Sequence, residues 1–189
     1  YDILNRSDRF LAERVFAPWV DLEAILRDEE MPLFSLESRR PLAEFDIIGF
    51  SLSYEGTYTN ILNMLDLAGL PVRSTERDER HPLVIAGGSG ALNPDALADF
   101  IDAFALGDGE ELVLAIAETV AEWKRQGGGP KRDLLRRFAG IRGVYVPSLY
   151  EVAYHPDGTV ARIAPNEPGI PQKVKKAFIQ RLPEPLTRP

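Results

Sequence analysis

The chain has 189 residues, 44% of them hydrophobic and 27% charged, which suits one soluble domain with a modest appendage and a real core. A net charge of −7 excludes the basic footprint of a nucleic-acid binder, and no apolar run approaches the roughly 18 residues of a membrane span. With no cysteine there are no disulfides, thiolate metal sites or Cys-ligated clusters, and with no signal peptide at the start the cytoplasm is the expected compartment.

Taken in order, residues 1–5 read as the last turn of a helix and Leu11–Ala17 as a short strand ended by Pro18. Asp21 is the expected N-cap of a helix over 22–29, with Leu22, Ile25 and Leu26 forming its buried face. Residues 32–37 form a short strand or an extended connection. Asp46–Leu52 is a near-continuous apolar strand of the kind covered on both faces. A helix follows, capped by Thr57 or Thr59 and stopped at Gly69, with Ile61, Leu62, Met64, Leu65 and Ala68 inward. The charged stretch Arg73–His81 is expected to be exposed.

Leu83–Glu111 holds two apolar runs that each end in glycine, separated by a helix-like segment opening at Asn93-Pro94-Asp95. Strand, helix and strand in this order form a βαβ unit. A long helix from Glu110 to about Gln126 comes next, then a short one over 133–138. From Ile141 the composition turns to β. Leu149–Tyr154, the turn His155-Pro156-Asp157-Gly158 and Thr159–Ile163 predict a hairpin. Residues 164–189 carry six prolines and the basic group Lys173, Lys175 and Lys176, with one further strand expected around Val174, Phe178, Ile179 and Leu182.

The fold class expected is α/β: a flavodoxin-like or Rossmann-like parallel sheet with helices on both faces, plus a C-terminal hairpin. The division expected is 1–140 for the α/β domain and 141–189 for the hairpin extension and Pro-rich linker. Both ends read as cut at or near domain boundaries.

No catalytic residue and no metal site is assigned. His81 and His155 both sit beside proline in turns and read as exposed turn histidines. There is no Walker A motif, and Gly88-Ser89-Gly90 does not complete a dinucleotide fingerprint. Asp108, Glu110 and Glu111 read either as a carboxylate cluster for magnesium and nucleotide or, better, as a helix start whose acids suit the macrodipole. Glycine after a strand admits positive φ and a close approach to the backbone. Three such loops, after Phe50-Ser51, Ala86 and Leu106, line up along the carboxyl edge of the expected sheet, where α/β folds bind ligands. They read as a ligand crevice or as tight strand–helix turns alone.

The order GFSLSYEGT, VIAGGSG with NPDALADF, and ALGDGEE resembles the cobalamin-binding-like domain that precedes the catalytic barrel of radical S-adenosylmethionine (radical SAM) proteins. LAERVFAPW, PLFSLESRRPL and RLPEPLTRP are similar to one uncharacterised subfamily. The resemblance implies a cobalamin tail slotted at the strand ends. Ser51, Leu52, Ser53, Gly87, Gly88, Ser89, Gly107, Asp108 and Gly109 would lie around it, with Tyr54 and Glu55 on the loop above. It also implies a first strand before Tyr1, and a barrel of the same polypeptide as partner, holding a four-iron four-sulfur cluster and S-adenosylmethionine. The substrate stays unknown, and neither nucleic acid nor membrane is an expected partner. An accessory cobalamin domain, an interaction domain with an empty crevice, and a nucleotide-binding domain are the three readings.

Overall fold

The computed structural model describes residues 1–180. Its helices and strands in chain order are α1 Asp2–Asn5, α2 Val20–Asp28, β1 Ile47–Ser51, α3 Tyr58–Leu67, β2 Leu83–Gly87, β3 Ala103–Ala105, α4 Gly109–Arg125, α5 Lys131–Ala139, β4 Val144–Tyr145, β5 Tyr150–Tyr154 and β6 Val160–Pro165. The main sheet has the order β1-β2-β3-β4. Its first three strands are parallel and β4 runs antiparallel to β3. β5 and β6 form a separate antiparallel pair, the hairpin that the His155–Gly158 turn predicts.

Side chains alternate between the two faces of a strand, and here each face has its own core. Ile48, Val84, Ala86 and Phe104 point to one side and pack with Ile61, Met64 and Leu65 of α3, Leu26 of α2, and Leu97 and Ile101 of the β2–β3 connection. Leu83, Ile85, Ala103 and Val144 point to the other and meet Leu112, Ile116 and Val120 of α4 and Leu134, Leu135 and Phe138 of α5. Helices therefore cover both faces and the class is α/β. β2 is buried along most of its length, whereas β1 is an edge strand and only half-buried. The apolar run at 46–52 overstates its cover.

Several expectations are corrected. Leu11–Ala17 is an extended segment with no strand partner; it is held by Leu36 N–H donating to Arg14 O and by Glu37 accepting from Arg14 N–H. α2 starts at Val20 rather than at an Asp21 cap. Of its three predicted inward residues only Leu26 is buried, while Leu22 and Ile25 are 41% and 51% exposed. The β2–β3 connection makes two 3-10 turns, Ser89–Leu92 before Asn93 and Asp95–Leu97 after it, where an α-helix was expected from Asn93 onward. At 174–180 there is one bridge, Ala177 to Gly107, in place of a strand; Leu182 lies outside the described residues. Among the described residues, no helix is long and apolar enough to cross a membrane.

Candidate functional site

The expected site lies where β1, β2 and β3 end. Parallel pairing sets Ser51 beside Gly87 and Gly87 beside Ala105, so the first two loops do come together. Their contacts are with each other. Leu52 N–H donates to Gly87 O at 2.7 Å, Gly90 N–H donates to Leu52 O at 2.9 Å, and the Ser89 hydroxyl donates to Ser53 O at 3.1 Å. Gly88 has φ +102°, and a Cβ there would lie 2.6 Å from the Leu52 carbonyl oxygen. Ser51, Ser53, Tyr54 and Glu55 are exposed, with Tyr54 at 61%.

The third loop is covered by the chain's own C-terminal segment. Ala177 N–H donates to Leu106 O at 2.8 Å, and Asp108 N–H donates to Ala177 O at 3.2 Å. Gly107 has φ +107°, and a Cβ on it would stand 2.1 Å from Ala177 O; one on Gly143 would stand 2.8 Å from Ala177 Cβ. Asp108 occupies the N-cap position of α4, yet its Oδ2 accepts from Ile179 N–H at 2.8 Å. Glu110 and Glu111 fall in the first turn of α4, as a helix start requires. Gly109 meets nothing within 4 Å. Two of the glycines assigned to a cofactor tail, Gly88 and Gly107, thus hold backbone of this same chain. In this arrangement they form no cradle that fits a cobalamin tail.

Sequence reasoning missed a polar cluster at the opposite end of the sheet. Asp102, just before β3, is 4% exposed. Its Oδ2 accepts from Val84 N–H at 2.8 Å, and its carboxylate stands 3.4 Å from the Arg77 guanidinium and 3.0 Å from Lys131 Nζ. Arg77, in the stretch expected to be exposed, is 5% exposed because its guanidinium donates to the carbonyls of Pro71, Val72 and Phe100. Lys131 is 8% exposed. Burial lowers its pKa below the usual lysine value, opposed by Asp102. His81 is also half-buried, with Nδ1 2.9 Å from Asp78 Oδ1, so it is not the exposed turn histidine expected. Two signals were present in the sequence. Asp102 interrupts an apolar run, and Lys131 stands in a first helical turn, where the macrodipole disfavours a cation.

Among the described residues no three His, Asp or Glu side chains gather in a group that could hold a metal. Burial also pushes the Tyr145 phenol up to about 12. Its ring lies between Phe104 and Tyr150, at centroid distances of 6.3 and 5.1 Å.

No curated protein and no solved structure matches this chain. A family model, described as radical SAM proteins, N-terminal, matches residues 1–147. That span takes in both glycine loops of β1 and β2, the helix start at Asp108, the buried cluster and β4. The chain belongs to the N-terminal domain family of radical SAM proteins.

Proposed function

We propose that the chain is a non-catalytic accessory domain that docks on the radical SAM domain of the same polypeptide. One observation carries this reading. Phe16, Trp19, Leu22 and Leu36 are exposed, Trp19 to 78%, and together with Val15 and Phe34 they line one groove of about 290 Å³. Exposed apolar patches of this kind mark interaction sites. Phe16, Trp19, Leu22 and Leu36 belong to neither core of the domain, while Val15 and Phe34 pack against the first. The cluster and S-adenosylmethionine implied by the family fall to the partner domain, because cluster ligation needs thiolates and this chain has none. Residues 1–140 serve as the docking unit and 141–189 as the extension, and the cytoplasm is the compartment that goes with this reading.

The test is calorimetric titration of the separately produced radical SAM domain with this chain. Trp19→Asp is expected to weaken binding at least tenfold while leaving the unfolding midpoint of the free chain unchanged. Equal affinity of the two proteins would refute the docking surface.

Cobalamin binding at the strand ends is the second reading. It is favoured by the order of the Ser51-Leu52-Ser53 and Gly87-Gly88 elements, and it would draw on Ser51, Ser53 and Gly87 with Tyr54 and Glu55 above. It requires Leu52 and the 176–179 segment to leave the positions they occupy against Gly88 and Gly107. That requirement ranks it below the docking reading.

A further inference from the structure

Beyond Tyr150 the hairpin β5–β6 belongs to neither core, and it lies outside residues 1–147, which the family model matches. Its base is fixed to the domain. The Tyr150 ring lies 5.1 Å from that of Tyr145, and its hydroxyl donates to Pro171 O at 2.8 Å. Asn166 N–H donates to Leu149 O at 3.0 Å, and Glu167 pairs with Arg132 and Arg136 at 2.5 and 2.7 Å. The turn is fixed as well. His155 N–H donates to Thr159 O at 2.8 Å, and Asp157 Oδ1 accepts from the Thr159 N–H and hydroxyl at 3.0 and 2.7 Å. The hairpin is thus a pre-organised projection, the kind of element that loses little freedom on binding.

Its two faces differ. Val152 pairs with Ile163 and Tyr154 with Val160, and residues directly opposite each other share a face. Alternation alone would send Val160 and Ile163, three positions apart, to opposite faces. The register shift at Ala153/Tyr154 leaves Ala161 unpaired and brings them to one side. The other face carries the pairs Glu151 with Ala164 and Ala153 with Arg162. On the apolar face Tyr154 is 64%, Val160 51% and Ile163 41% exposed. A two-stranded hairpin is marginal in water until one face is covered.

The size of the face narrows what covers it. Separate molecules in a stable interface bury about 800 Å² each, more than four side chains on a hairpin supply. A domain tethered through the same polypeptide is under no such demand, because its association is intramolecular. The family supplies such a domain, since it is the N-terminal part of radical SAM proteins. We infer that Val152, Tyr154, Val160 and Ile163 pack against an uncharged, apolar patch of the radical SAM domain of the same polypeptide, with Glu151 and Arg162 left in water. This rests on the docking reading above and adds to it a second contact, distant in sequence from the Trp19 groove.

The experiment is amide hydrogen exchange, comparing this chain with the full polypeptide over residues 150–165 and over the groove residues 15–26. Exchange at 150–165 is expected to slow by about tenfold or more in the full polypeptide, as for hydrogen bonds that gain cover. Val160→Glu should remove that slowing and keep it at 15–26, whereas Arg162→Gln, on the polar face, should keep both. Val160→Thr retains the β-branch and serves as a check should the glutamate variant melt the hairpin; it should remove the slowing in part. Slowing at 15–26 alone would overturn the hairpin contact and leave the docking reading standing. Slowing at 150–165 alone would support the hairpin contact and remove the Trp19 groove from the docking surface, and slowing at neither would overturn both. Slowing at 150–165 in this chain alone as its concentration rises would assign the face to a second copy and overturn the proposal.

Discussion

Asp102 is the residue on which the amino end of the sheet depends. It is buried, it accepts the Val84 N–H, and it is the carboxylate that faces both Arg77 and Lys131. Removing one partner of a buried ionic group leaves uncompensated charge in a poorly solvated place. Asp102→Ala should therefore cost about 3–5 kcal/mol of stability, read as a lower denaturation midpoint in urea. A loss below about 1 kcal/mol, the scale of exposed pairs, would show that the cluster carries no such role. Tyr145 gives a pH-dependent counterpart. Its folded-state pKa is raised from 10.0 to about 12, so folding holds a proton that the unfolded chain releases. The contribution is present below pH 10 and is lost as the pH rises towards 12. Lys131 acts in the opposite sense: its lowered value means that stability is gained as the pH approaches 10.5. Comparing the wild type with Tyr145→Phe cancels that term. The variant is expected to lose less stability than the wild type between pH 10 and 12 in denaturation experiments, and parallel pH profiles would contradict the assignment.

At the scale of elements, the glycines after strands divide into two kinds. Gly88 and Gly107 combine positive φ with a close backbone neighbour, whereas Gly109 opens α4 with free space around it. Gly88→Ala should cost about 2 kcal/mol or more, from left-handed backbone strain and the Leu52 carbonyl together. Gly109→Ala should change stability by less than about 0.5 kcal/mol, the range of substitutions that meet nothing. Thermal denaturation of the two variants separates the cases, and equal effects would sink the distinction. The sequence made these glycines legible as positions of close approach, because a glycine after a buried strand signals that something comes near. It did not say what comes near. The answer for Gly107 is Ala177, seventy residues later in a Pro-rich stretch with no periodicity to place it. The helix expected after Asn93 failed for a related reason. Pro94 and Asp95 are good starting residues, but Ala91, Leu97 and Ile101 are drawn one by one into the core under the sheet, and the connection folds as separate 3-10 turns.

For the whole molecule, the strands, the long helices and the hairpin follow from apolar runs, amphipathic spacing and turn residues, and the α/β class with them. What the sequence left open was set by long-range pairing. Val144-Tyr145 left the hairpin region to become the antiparallel fourth strand, because Phe104 and Ala105 offered a free edge. α2 exposes Leu22 and Ile25 where periodicity alone would have buried them, and this is the part of the molecule that most resembles an unfinished interface. The chain belongs to the N-terminal domain family of radical SAM proteins and carries no cysteine.

The carboxyl-end loops are closed by the chain's own Leu52 and Ala177, and the proposed docking role rests on that closure. Titration of the protein with hydroxocobalamin, followed through the visible corrin bands, tests it most directly. No saturable spectral change is expected for the wild type. A saturable change that Gly88→Ala and Ser51→Leu both abolish would contradict it, and would show that the loops open to admit the cofactor.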